Sequence, residues 1–94
     1  MKQSLENSPL AKLFGSISRV RILAILFRRP YQPLYQREIM YETSLSLQTV
    51  QRELRNLVEL GILKRHSTNQ KVYYQISSTS SFFKPLKEIF GSGL

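Results

Sequence analysis

Leu45-Ser46-Leu47-Gln48-Thr49-Val50-Gln51-Arg52-Glu53-Leu54-Arg55-Asn56-Leu57 runs directly into Val58-Glu59-Leu60-Gly61-Ile62-Leu63-Lys64-Arg65. Serine favours the residue before a helix, where its hydroxyl accepts a hydrogen bond from a backbone N–H that the first turn leaves unpaired. Behind Ser46, the residues Leu47, Val50, Leu54, Leu57 and Leu60 recur at helical spacing and predict a core-facing stripe on a helix over 46–60. Gln48, Thr49, Gln51, Arg52 and Arg55 stay off that stripe. Gly61 can take the left-handed conformation that ends a helix, and the chain then turns straight into a strand.

Downstream, Ile62 to Ser67 and Lys71 to Ile76 are rich in β-branched and aromatic residues, with turn chemistry in Thr68-Asn69-Gln70 between them. This pattern predicts a hairpin. Tyr73 and Tyr74 point to opposite sides of their strand, so one packs on the core and the other faces solvent or a partner; sequence leaves open which. Ser77 to Ser81 form a polar linker. Phe82, Phe83, Leu86, Ile89 and Phe90 make an apolar stripe on a final helix over 82–90, ended by Gly91.

Upstream, residues 1–9 are polar, unpatterned and expected to fray. A short helix is expected from Leu10 to Phe14, broken by Gly15, within a first helical region over 10–27. Ser16 can cap the main helix, which runs to about Phe27. Ile17, Val20, Leu23, Ala24 and Phe27 share one stripe, and Ile22, Ile25 and Leu26 widen it until the helix has to be largely buried. Arg19 and Arg21 project from its early turns, while Arg28 and Arg29 complement the negative end of its dipole. Pro30 and Pro33 forbid continuation. Leu34-Tyr35 can add a short strand before a second helix, about Gln36 to Thr43, with Ile39, Met40 and Thr43 inward. Ser44-Leu45-Ser46 is the tight turn into the third helix.

Ninety-four residues, 41% of them hydrophobic, suit one domain with a single core. No apolar run approaches the roughly 18 residues that a membrane span requires, and Met1 to Leu5 lack a signal-peptide pattern, so a cytoplasmic location is expected. Without cysteine there is neither a disulfide framework nor a thiolate metal site. Fourteen Lys/Arg against six Asp/Glu give a net charge of +8. Such a charge suits a polyanion, because basic groups displace counterions condensed on phosphates. Solubility alone is the plainer reading, but Arg52 and Arg55 share one helix side, and Lys64, Arg65 and Lys71 cluster in one hairpin.

The order helix, helix, turn, helix, two-stranded hairpin, helix resembles the winged helix-turn-helix family of ArsR-like transcriptional regulators. The likeness spans roughly Leu13 to Phe90. It is carried by Gly15-Ser16-Ile17-Ser18-Arg19-Val20-Arg21-Ile22-Leu23, by Gln36-Arg37-Glu38-Ile39, by Leu45 through Leu57, and by Leu60-Gly61-Ile62-Leu63 with Val72-Tyr73-Tyr74. The hairpin and the Phe83-Lys84-Pro85-Leu86 tail most resemble small regulators found fused or adjacent to nucleotidyltransferase domains. The resemblance implies a mainly α fold with a small β-hairpin: a three-helix core, a two-stranded wing and an extra terminal helix. It also implies a homodimer paired through first and last helices, with one third helix reading each major-groove half-site of double-stranded DNA. Metal-sensing members carry cysteines or several histidines, whereas this chain has only His66, so no metal or other cofactor is expected. No effector is indicated.

On that resemblance the expected DNA-binding residues are Arg37, Ser46, Gln48, Thr49, Gln51, Arg52, Arg55, Arg65, Asn69 and Lys71, with Arg19 a further phosphate contact. Gln and Arg can bond adenine and guanine edges in pairs, and Thr49 can touch a thymine methyl or a phosphate. A solvated helix face is the competing reading of the same pattern. Ser46 serves first as a cap. Glu38 and Glu42, four apart, read as solvated helix charges, and no catalytic constellation accompanies them. Leu10, Leu13, Phe14, Phe83, Leu86 and Phe90 exceed what a small core requires and are expected at a dimer seam, unless they simply cover the helices. The sequence thus points to a dimeric repressor. Two other functions fit less of it: a winged helix that pairs with a nucleotidyltransferase-like or other protein partner, and an architectural DNA binder without site preference.

Overall fold

The computed structural model describes residues 14–91. Their elements are α1 (Ile17–Arg28), β1 (Leu34–Tyr35), α2 (Gln36–Thr43), α3 (Leu47–Glu59), β2 (Leu63–Thr68), β3 (Lys71–Ile76) and α4 (Phe83–Phe90). Four helices and a three-stranded antiparallel sheet of order β1-β3-β2 make a winged helix. The expected helix over 10–14 lies outside the described residues except for Phe14.

α1 begins where expected, with the Ser16 hydroxyl accepting a hydrogen bond from Arg19 N at 3.2 Å. Val20, Ile22, Leu23, Ile25, Leu26 and Phe27 are buried around it, whereas Ile17 and Ala24 are half-buried. This helix is the axis of the core: α2, α3 and α4 all pack against it. α4 lies on it through aromatic rings, with Phe27 centred 6.1 Å from both Phe83 and Phe90.

α2 spans the expected residues and buries Ile39 and Thr43, with Met40 half-buried. The Thr43 hydroxyl donates to Ile39 O at 2.6 Å, so the group is satisfied inside the core. Glu38 is not merely solvated: its carboxylate accepts from Tyr35 N at 2.8 Å, tying down a backbone donor at the helix entrance. Glu42 likewise faces Arg28 and Arg29, at 3.8 and 3.7 Å, across the junction of α1 and α2. The two arginines thus complement both a helix end and a carboxylate. Ser44 then adopts a left-handed conformation (φ 59°) to turn the chain into α3.

α3 runs over the expected residues between its caps Ser46 and Leu60, but is covered over less of its length than its apolar pattern implies. Val50, Leu54 and Leu57 are fully buried, but Leu47 is 43% exposed and Leu60 50% exposed. The stripe is covered only over its middle turns; the first residue and the cap reach solvent. The buried arc includes an unexpected member, Glu53, at 4% exposure. Gly61 closes the helix at φ +78°, with Gly61 N donating to Val58 O and Ile62 N to Leu57 O. These two bonds form the paired closure in which a left-handed residue turns the chain away.

That closure aims the chain into the hairpin. Asn69 and Gln70 both have positive φ (49° and 67°), the geometry of a two-residue turn whose twist matches the strands it joins. β3 pairs on one side with β2 and on the other with β1, where Leu34 faces Tyr74 and Tyr35 faces Tyr73. The wing therefore has a third, two-residue strand. Tyr74 is the buried tyrosine, sharing the core with Leu34, Leu63 and Ile76. Tyr73 stands on the outer face, its ring stacked on His66 at 5.0 Å.

Leu54 and Leu60 belong to one apparent stripe in sequence but not in space. Leu54→Ala should lower stability by about 2–5 kcal/mol, and Leu60→Ala by no more than about 0.5 kcal/mol. Urea unfolding midpoints of the two variants, at unchanged slope, measure the contrast.

Candidate nucleic-acid interface

A helix presents side chains usefully only if its opposite side is fixed. At about 100° per residue, Val50, Glu53, Leu54 and Leu57 fall within one arc of α3, and that arc lies against the core. Gln48, Gln51, Arg52 and Arg55 occupy the opposite side and are exposed. The four thus share an outward surface on a backbone held by buried neighbours. Thr49 is half-buried on the flank. Its hydroxyl accepts from Ser46 Oγ at 2.9 Å, while Ser46 Oγ accepts from Thr49 N at 3.2 Å. Ser46 is therefore a cap, as expected, and its bond to Thr49 draws that hydroxyl toward the helix start.

Glu53 is the residue that periodicity missed. Arg19 Nε donates to its Oε1 at 2.7 Å, and Arg52 Nε lies 3.9 Å from its Oε2. Arg19, expected to reach a phosphate, is instead spent on this contact and only 27% exposed in its side chain. Its ion pair links the first turn of α1 to the middle of α3, beside their apolar contact. Sequence pattern had no means of pairing residues 34 apart.

An open groove of about 1470 Å³ separates α2 and α3 from the wing. Gln48, Gln51 and Arg55 line one wall, Arg37 stands at the α2 end, and Arg65, Gln70 and Lys71 line the wing wall. Leu47, Val58, Met40 and Val72 supply apolar patches between them. Four of the lining side chains are arginine or lysine and two, Glu38 and Glu59, are acidic. Glu38 is already bonded to Tyr35 N. Arg65 reaches this groove because it shares a sheet face with Tyr74, its register partner, and projects beyond the core. Lys71 Nζ lies over the Tyr35 ring at 6.0 Å, which places its charge at the wing side of the groove. Asn69 is at the exposed turn tip. Arg52 lies outside the groove on the same exposed side of α3, so the basic surface extends beyond it.

The residues expected at a dimer seam separate into three groups. Leu10 and Leu13 lie outside the described residues. Leu86 and Phe90 are buried within this chain against α1, and Phe90 also meets Phe14 at 5.7 Å between ring centres. Phe14 and Phe83 are half-buried, and Phe83 continues to Tyr31, which is 64% exposed. Among the described residues no three His, Asp or Glu side chains come together as a metal site, and no helix is long and apolar enough to cross a membrane.

The model of the bacterial regulatory protein arsR family matches residues 17–65, from the start of α1 into β2. Among solved structures, the fold is similar to MepR, a transcription regulator of the Staphylococcus aureus multidrug efflux pump MepA, with TM-score 0.69 and 21% identity over 88% of this chain. The chain spans 60% of the MepR chain's length. It is also similar to a predicted DNA-binding transcriptional regulator from E. coli, with TM-score 0.66 and 20% identity, covering 88% of this chain and 80% of that one. At these identities the likeness is one of fold. No curated protein matches the sequence.

The ion pair gives an asymmetric expectation. Arg19→Ala leaves a carboxylate that is 5% exposed with only the 3.9 Å contact to Arg52, whereas Glu53→Ala strands a guanidinium that water can reach. Arg19→Ala should therefore cost more, on the order of 3 kcal/mol, and joint replacement by Met and Leu should recover most of the loss. Equal losses in chemical denaturation would show that the pair's burial is not what matters.

Proposed function

The chain belongs to the arsR family of bacterial regulatory proteins, which makes it a DNA-binding transcriptional regulator, and we propose that it reads the major groove with α3. The observation that carries this proposal is the outward set Gln48, Gln51, Arg52 and Arg55 on a helix whose other side is locked into the core. Glutamine and arginine are the side chains able to bond adenine and guanine edges with two hydrogen bonds each. A helix fits the width of the major groove of B-form DNA. The half-buried Thr49 and the capping Ser46 lie at the helix start, where a phosphate can approach.

Arg37, Arg65, Asn69 and Lys71 serve as phosphate contacts in this reading. They lie to either side of α3, on α2 and the wing, where the strands flanking a groove would run. Their charges fix register and add salt-dependent affinity without sequence information. The protein acts in the cytoplasm as a repressor, occupying a promoter and excluding polymerase. It does so as a symmetric dimer with recognition helices about 34 Å apart, one turn of DNA. Phe14, Phe83 and exposed Tyr31 offer an apolar surface for pairing. No catalytic step or cofactor is part of the mechanism.

Selection of bound sequences from a random duplex pool tests the proposal. One enriched, two-fold symmetric site is expected. Failure of any duplex to be retained, together with capture of a stoichiometric protein, would favour a protein-interaction module; retention without enrichment would favour an architectural binder. On the selected site, Arg52→Ala should weaken binding by about 1–3 kcal/mol with relaxed preference at one base pair. Lys71→Ala should weaken all duplexes alike and reduce the salt slope by about one. Titrations by fluorescence anisotropy at several salt concentrations distinguish the two.

A further inference from the structure

We infer that Leu47 is a specificity-determining residue that reads the C5-methyl group of a thymine; the inference rests on the proposed reading of duplex DNA by α3. An exposed leucine is ordinary on a protein surface. This one is singular in its position. It opens α3 at 43% exposure, next to Gln48 and one turn before Gln51, on the wall of the groove. The first turn of a recognition helix is the part that reaches base edges. An apolar side chain there has a single apolar feature to meet in the major groove, the thymine methyl.

The neighbouring candidate for that role is already engaged. Thr49 is half-buried and its hydroxyl is bonded to Ser46, which directs the residue back along the helix start. Leu47, by contrast, makes no contribution to the buried core cluster. Its apolar surface stays in water in the free protein, so covering it against a methyl group gains favourable transfer free energy without loss elsewhere. Arginine or glutamine beside it supplies the hydrogen-bonded base contacts, and Leu47 distinguishes thymine from cytosine at an adjacent pair.

The test replaces each thymine of the selected site, one at a time, by deoxyuridine, which lacks only the methyl group. Wild-type protein should lose about threefold to fourfold in affinity per half-site at one thymine, the value of one buried methyl-sized group. Leu47→Ala should abolish that loss at the same position, while Leu47→Met keeps it; because Leu47 is outside the core, both variants should fold. A selected site with no uridine-sensitive thymine, or one whose sensitivity survives in Leu47→Ala, overturns the assignment to Leu47 and leaves duplex reading intact. A pool with no enriched duplex contradicts the reading of duplex itself.

Discussion

The contact between α1 and α3 is the constraint on which the other features depend. Val50, Leu54 and Leu57 exclude water completely there, and Arg19 bridges to Glu53 at 2.7 Å in the same interface. Apolar packing is non-directional and would tolerate some rolling of one helix over another. The ion pair is directional: it aligns a guanidinium edge with one carboxylate oxygen, and a rolled α3 would take the buried Glu53 away from Arg19 and leave it only the longer contact with Arg52 of its own helix. Packing therefore supplies most of the stabilisation, while the pair selects the rotation. With that rotation set, the polar arc of α3 faces outward.

The same economy extends to the wing. Gly61 turns the chain within two residues of the last turn of α3, and Ile62 and Leu63 enter the core at once. β1, only two residues long, bonds β3 and leads directly into α2. α2, α3 and the hairpin are consequently linked through short, internally bonded connections rather than by flexible loops. Among the described residues, no buried side-chain polar atom lacks a partner. A surface assembled this way needs little ordering when a ligand arrives, which is the condition for affinity not to be lost to entropy.

Much of this architecture was legible because local chemistry and tertiary structure agree. Ser16 and Ser46 cap the helices they precede, Gly61 ends α3, and Gln36 to Thr43 fold as read, since capping and turn signals act over a few residues. What was not legible depends on distant neighbours. Helical periodicity marks a side but not how far along the helix a partner covers it, so Leu47 and Leu60 were assigned to a core they do not enter. Periodicity also treats any charge as outward, which concealed Glu53 and sent Arg19 to the surface. Alternation in β3 could not tell Tyr73 from Tyr74 until β1 and the helices fixed which face was covered. For the candidate interface, residue types on α3 were readable from sequence; the groove that brings Arg37, Arg55, Arg65 and Lys71 into one surface required the fold.

The central claim is that α3 and the wing, held from behind by α1, form the surface that meets duplex DNA. Backbone amide chemical shifts followed by NMR during titration with a selected duplex test it most directly. The account predicts the largest changes from Leu47 to Arg55 and at Asn69 to Lys71, with residues of the α1 core nearly still. Changes concentrated on α4 and the Tyr31 loop, with α3 silent at saturation, would contradict it.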